Sequence, residues 1–199
     1  MTPSNEILAD NFSDKTDAEL VAMTLTDQDC FLYLVNRYKQ KLLSYIRRIT
    51  NVSEDDIEDI LQDVFIKVYL NLNDFDTSLK FSSWIYRITH NEVINNYRKL
   101  KSRPHNNSVN IEDTEALNLA ADLDIEKDVD SIILKNSVIK ILERLKPKHR
   151  EIIILKFFEE KSYQEISDIL ERPMGTVASL MNKAKKEFKK ELIRQNIKT

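Results

Sequence analysis

The chain has 199 residues, with a single glycine, four prolines, one cysteine and a net charge of −3. That length holds one or two small domains, and so little glycine argues against a β-rich fold, whose turns need it. Cys30 alone excludes an internal disulfide framework and fits a reducing cytoplasm, no apolar run approaches the roughly 20 residues of a membrane span, and the polar, acidic start is not a secretory signal.

The small total charge hides a division. Residues 111–130 hold eight acids against Lys127, a net −7, so the rest of the chain carries +4 against the total of −3. Residues 183–199 hold seven Lys or Arg against Glu187 and Glu191, a local +5. Basic charge therefore gathers where a binding surface is expected, and the acid gathers in a connector.

In chain order, residues 1–16 read as a flexible N-terminus. Residues 17–50 read as helical hairpin material, with Leu20, Val21 and Leu25 followed by Phe31, Leu34, Val35, Tyr38, Leu42, Tyr45, Ile46 and Ile49 at helical spacing. Ser53 is a good N-cap for a helix running to about Leu72, and Glu54, Asp55 and Asp56 occupy the first turn, where the helix dipole favours anions. Its buried stripe is Ile57, Ile60 or Leu61, Val64, Val68 and Leu72. Asp59, Gln62, Asp63, Ile66 and Leu70 are left outside, and acids mixed with exposed aliphatics suit a protein partner as well as plain solvation.

Residues 73–80 form a loop into a helix spanning Phe81 to Lys101, with Ser82 and Ser83 at its start as capping types. Phe81, Trp84, Ile85 and Ile88 share one face, and Tyr86, Val93, Tyr97 and Leu100 a second apolar strip. Between them runs a line of side-chain donors, Arg87, Asn91, Asn95 and Arg98. Cations and amides beside aromatics suit phosphates and unstacked bases, although an amphipathic helix with a wet face gives the same pattern.

Residues 102–129 hold Pro104, an Asn-Asn-Ser run and most of the acid, and read as a flexible linker with one helical turn near Glu115 to Ala121. Order returns near Asp130 with Ile133, Leu134, Val138, Ile141, Leu142 and Leu145. Pro147 opens the next helix, where a missing amide proton costs nothing. Ser162 with Glu165 makes a capping box for a short helix with Tyr163, Ile166 and Leu170 inward. After the turn Glu171-Arg172-Pro173, a last helix buries Val177, Met181, Ala184 and Phe188, and its opposite face shows Thr176, Ser179, Lys183 and Lys186. A short helix, a tight turn and a helix with a polar-basic face is a helix-turn-helix. Gly175 is expected there because helix, turn and DNA backbone would crowd a Cβ.

At these residues the chain resembles the bacterial RNA polymerase sigma factors of the sigma-70 family, in the extracytoplasmic-function (ECF) group. The run Glu58-Asp59-Ile60-Leu61-Gln62-Asp63-Val64-Phe65 is similar to the family's polymerase-binding helix. Phe81-Ser82-Ser83-Trp84-Ile85-Tyr86-Arg87-Ile88, with Asn91 and Arg98, is similar to its −10 recognition helix. Ser162-Tyr163-Gln164-Glu165-Ile166 followed by Pro173-Met174-Gly175-Thr176-Val177 is similar to its −35 helix-turn-helix.

The resemblance implies an all-α protein of two small helical domains, 17–101 (region 2) and 130–199 (region 4, helix-turn-helix), joined by a flexible acidic linker, 102–129. It implies a transcription initiation factor without catalysis or cofactor. Its partners would be core RNA polymerase through the β′ and β subunits, promoter DNA and an anti-sigma protein. Asp59, Gln62, Asp63, Phe65 and Ile66 would dock on polymerase. Arg87, Asn91, Asn95 and Arg98 would serve the −10 element, Asn91 with loop 73–80 capturing a flipped base and the arginines holding phosphates; Trp84 would pack the core. Thr176, Ser179, Asn182, Lys183 and Lys186 would serve the −35 element in the major groove.

Some positions depart from the family pattern. Asn95 stands where Asp is usual, Ala178 and Leu180 where bases are usual, and Asn182-Lys183-Ala184-Lys185 replaces an Arg-rich run. Two other classes of function compete: a duplex-binding regulator with residues 1–101 as sensor or dimerisation domain, and a metal-dependent nuclease using Glu54 to Asp63. The scattered His90, His105 and His149 show no ligand spacing for the second.

Overall fold

The computed structural model describes residues 14–102 and 129–194. Among them every regular element is helical. In order these are α1 (Asp17–Thr26), α2 (Phe31–Ile49), α3 (Glu54–Leu70), α4 (Phe81–Ser102), α5 (Val129–Arg144), α6 (Pro147–Phe157), α7 (Tyr163–Leu170) and α8 (Met174–Arg194). Two 3-10 turns, Gln28–Cys30 and Leu72–Asp74, join neighbouring helices. The expected N-terminal tail and linker, including the turn near Glu115, lie outside the described residues except at their edges.

Helix starts follow local chemistry. Thr16 and Glu19 form a capping box on α1, Ser53 Oγ accepts from the Asp56 amide at the head of α3, and Ser162 and Glu165 form the capping box expected on α7. Pro147 stands in the first turn of α6. The exception is α4. The amides of Ser83 and Trp84 donate to the Lys80 carbonyl, so both serines lie inside the first turn instead of capping it, and Ser83 is buried with its hydroxyl lacking a partner among the described residues. Two helices end without glycine. Glu160 (φ 53°) follows α6 and Glu171 (φ 50°) closes α7, both left-handed, with Lys161 N–H reaching back to Leu155 and Arg172 N–H to Ser167. These reverse turns satisfy the last carbonyls, which offsets the steric strain of a side chain in that region.

The first half packs α2, α3 and α4 around Leu34, Leu42, Ile46, Ile57, Val64, Val68 and Ile85, all buried. Asp17 ties α1 to α2, accepting from Arg37 Nη1 at 2.9 Å and from the Tyr38 hydroxyl at 2.5 Å. Arg47 grips Glu54 with two hydrogen bonds, 3.0 and 2.7 Å, and so sets the corner between α2 and α3. In the second half α8 lies on α6 and α7, with Ile152, Ile154, Ile166, Ile169, Val177, Met181 and Ala184 inside.

The two halves pack on each other, α2 against α6 and α4 against α7. Polar contacts bridge the seam. Glu159, from the turn after α6, accepts from Arg48 Nη1 at 2.9 Å and from the Tyr86 hydroxyl at 2.5 Å. Glu151 accepts from the Tyr45 hydroxyl at 2.8 Å and meets His90 Nδ1 at 2.5 Å. Arg150 donates to Asn51 Oδ1 at 2.6 Å, and Lys161 sits 4.3 Å above the Tyr86 ring. Burial in this seam pushes the Tyr45 and Tyr86 hydroxyls well above their ordinary range, and the neighbouring glutamates add to the effect.

Candidate nucleic-acid interface

Trp84 lines the first candidate surface and packs on Phe75 behind it. Phe75 is buried in the connection between α3 and α4, and the rings of Phe75, Phe81 and Trp84 pack edge-on or tilted with centroids 5.1 to 5.7 Å apart. This aromatic anchor holds the connection against the start of α4. Above it opens a pocket of about 520 Å³ lined by Lys67, Asn71, Asp74, Trp84, Arg87, Ile88, Asn91, Glu92, Ile94, Asn95 and Arg98. The line of donors seen in the sequence, Arg87, Asn91, Asn95 and Arg98, is thus gathered on one wall.

The connection contributes less than expected. Of residues 73–80 only Asp74 lines the pocket, while Lys80 instead meets Glu165 of α7 at 3.3 Å. Lys67, Asn71 and Glu92 also line the pocket and were not legible as pocket residues. Glu92 is 6% exposed, pairs with Lys67 at 2.5 Å and accepts from Asn95 Nδ2 at 3.1 Å. The pocket lining carries three cations, Lys67, Arg87 and Arg98, against Asp74 and Glu92. Donors, acceptors and an aromatic floor in one concavity suit an unstacked base with its phosphate.

The second surface is α8. Thr176, Ser179, Asn182, Lys183 and Lys186 are all exposed on it, as the spacing predicts. Thr176, Ser179 and Lys183 border a cleft of about 1590 Å³ whose other wall is the C-terminal part of α4, with Val93, Ile94, Tyr97, Arg98 and Leu100. The second apolar strip of α4 therefore divides: Tyr86 is buried in the seam, whereas Tyr97 is 66% exposed on this cleft. Leu180, where the family usually has a basic residue, is half-buried against the core and lines the same cleft. Gly175 corrects an expectation. A Cβ there would meet nothing within 4 Å and its φ is not positive, so neither helix nor turn crowds it.

The third surface is the outer face of α3. Asp59, Gln62, Asp63, Ile66 and Leu70 are exposed, Ile66 at 56% and Leu70 at 68%. Phe65 is different, being half-buried and edge-on to Phe31, which also packs on Tyr69. Leu32 and Tyr69 add exposed apolar area that the helical pattern did not mark. Among the described residues no group of three or more His, Cys, Asp or Glu is arranged to hold a metal ion, and no helix is long and apolar enough to cross a membrane.

Comparison with known proteins decides the family. The Sigma-70 region 2 profile matches residues 34–103, and the Sigma-70 region 4 profile matches residues 135–188. The ECF RNA polymerase sigma factor SigW of Bacillus subtilis is 37% identical over 173 residues, which covers 83% of this chain and 90% of that protein. The chain belongs to the ECF sigma factors of RNA polymerase. Its fold agrees with that of CnrH, solved with the cytosolic domain of CnrY, at a TM-score of 0.65 and 22% identity over 92% of this chain and 99% of that one. It also agrees with the sigma factor RpoE of Bartonella quintana, solved with the anti-sigma factor NepR, at 0.59 and 20% over 81% and 96%. In this sigma factor region 2 spans α2 to α4 and holds the pocket and the acidic-aliphatic face, and region 4 spans α5 to α8 and holds the helix-turn-helix.

Carboxylates that carry a docking face must be free to meet a partner. Asp59 and Asp63 are both exposed. Exchanging both for lysine should leave helicity and thermal midpoint within the small range of surface changes, about 0.5 kcal/mol, while reversing the charge of that face. Binding to core polymerase, followed by co-elution, should fall sharply; undiminished binding would place the docking face elsewhere.

Proposed function

We propose that this chain binds core RNA polymerase through α3, using Asp59, Gln62, Asp63 and Ile66 with Phe65 as a packed support. The α4 pocket takes a base of the melted −10 non-template strand, and α8 reads the −35 element as duplex. It performs no chemistry of its own, works in the cytoplasm and needs no cofactor. Residues 17–101 and 130–199 are the two working units and 102–129 their connector. An anti-sigma protein is the natural regulator, in line with the Bartonella relative's complex.

The observation that carries the reading is the gathering of Arg87, Asn91, Asn95 and Arg98 on the wall of one aromatic-floored pocket. A regulator that binds only duplex DNA has no use for it. Asn91 is exposed at the mouth and offers both a donor and an acceptor to a base edge. Arg87 and Arg98 flank it and suit the phosphates on either side.

Run-off transcription with core polymerase and a library of promoter-like templates tests this. Specific transcripts should appear only with the protein and vanish with Asn91→Ala. Duplex binding without any transcript would favour a stand-alone regulator.

A further inference from the structure

We propose that Glu92 is a positioning residue of the α4 pocket: it fixes the Asn95 amide with its oxygen turned to the pocket, so that the pocket selects adenine or cytosine, which carry an amine at N6 or N4, over thymine, which carries an oxygen at the matching position. The inference rests on the reading of α4 as the helix that captures an unpaired base.

Glu92 and Asn95 lie three residues apart on α4, one above the other on the same face. Glu92 Oε1 is 3.1 Å from Asn95 Nδ2 and 2.5 Å from Lys67 Nζ. A carboxylate paired to an ammonium has only acceptors to offer, so the side of the Asn95 amide that meets it must be the NH₂ group. The amide is planar, and its oxygen therefore faces away from Glu92. Asn95 lines the pocket, which leaves Oδ1 as the group presented to an entering base. Glu92 is 6% exposed and held from two sides, so it cannot swing away and release the amide.

An acceptor at this place discriminates. Adenine carries an N6 amine and cytosine an N4 amine, both donors, whereas thymine carries O4, an acceptor that would face Oδ1 lone pair to lone pair. Asn91, one turn earlier on the same wall, can rotate to give the neighbouring ring nitrogen its donor. Glu92 acts on Lys67 as well. It takes up one donor of that ammonium, which lines the pocket and would otherwise offer that donor to thymine O4 or guanine O6. The family's usual Asp at position 95 would present acceptor oxygens in every rotamer. Here the carboxylate stands one turn earlier, and Asn95 becomes an acceptor only through Glu92.

The test uses holoenzyme formed from core polymerase and the full chain, on bubble templates whose non-template strand is randomised across the melted segment, with the transcripts sequenced. The wild type should enrich adenine or cytosine over thymine at one position by roughly tenfold, the discrimination of one well-placed base contact. Glu92→Gln should bring that ratio near parity, because a glutamine amide no longer dictates which way Asn95 turns. Glu92→Gln combined with Asn95→Asp should restore it, a rescue that a merely structural role for Glu92 does not allow. Should Glu92→Gln fail to fold, Asn95→Ala carries the test with the Lys67–Glu92 pair intact, and the same loss of preference is expected. A preference unchanged in Glu92→Gln, a double variant that stays at parity, or wild-type enrichment of thymine overturns the inference. If the wild type enriches no base and Asn91→Ala transcribes normally, base capture by α4 itself fails. If the wild type enriches no base but Asn91→Ala is inactive, capture stands and selection through Glu92 falls.

Discussion

Replacing Glu159 by alanine should loosen the two halves of the molecule from one another. Its carboxylate is the shared acceptor of Arg48 and Tyr86, and the Arg48 and Glu159 side chains are 9% and 7% exposed. Removing one member of a buried pair takes from Arg48 the carboxylate that faces it across the seam, a loss that costs up to about 3–5 kcal/mol. The Phe158 ring, 5.1 Å from the Arg48 guanidinium, offers a cation–π contact worth far less than the lost charge. The cheapest relief is for the seam to open and admit water to Arg48. Small-angle scattering should therefore show a larger radius of gyration for Glu159→Ala, while the far-ultraviolet dichroism keeps its helical amplitude. Glu160→Ala, one residue on and exposed, should change neither. An unchanged radius and thermal midpoint in Glu159→Ala would show that apolar packing alone holds the halves.

This seam bears on function because of what lies beside it. Thr176, Ser179 and Lys183 face Arg98 across a cleft of about 1590 Å³. A DNA duplex, whose major groove alone is about 12 Å wide, does not fit a cleft of that volume with α8 seated in the groove. On the proposed reading α8 enters the major groove, and the α4 wall of the cleft then stands in the way of the duplex unless the halves part. Apparent affinity scales with the fraction of molecules in the competent form, so the variant that opens the seam should also shift duplex DNA at lower protein concentration than the wild type.

Much of this was legible in the chain. Helical periodicity marked most of the helices, and Ser53, Pro147 and the Ser162–Glu165 box marked three of the starts, because they act through neighbours in sequence. The donor line of α4 and the polar face of α8 were equally plain, since helical spacing alone puts them together. What was not legible depends on pairs far apart in sequence. Nothing in the sequence singled out Glu159, whose partners lie 111 and 73 residues away. Nothing in the sequence singled out Glu92 either, and its meaning comes from Lys67, 25 residues earlier on α3. Ser82 and Ser83 misled because capping types are informative only at the boundary, and the boundary lies at Lys80. Gly175 misled because the crowding assumed around it is absent within the protein.

Alkaline pH should destabilise the fold steeply through three tyrosines. Burial, first of all, raises the hydroxyls of Tyr38, Tyr45 and Tyr86 far above the ordinary tyrosine value of 10, and nearby carboxylates, Asp17, Glu151 and Glu159, raise them further. In the unfolded chain each ionises near pH 10, while in the fold each keeps its proton. Above pH 10 the native state thus binds more protons than the unfolded one, and stability falls as pH rises. The contribution is complete below pH 10 and is lost progressively upward. Each such group removes about 1.4 kcal/mol per pH unit, so the three together remove roughly 4 kcal/mol per unit. Unfolding by urea at a series of pH values should show this slope. The tyrosinate absorbance of these three residues should appear together with the loss of helical dichroism, not before it. Tyr45→Phe should make the slope shallower by about one third, because phenylalanine has no proton to release. A tyrosinate signal that develops fully while the helices persist would mean that solvent reaches the seam and Asp17 without unfolding.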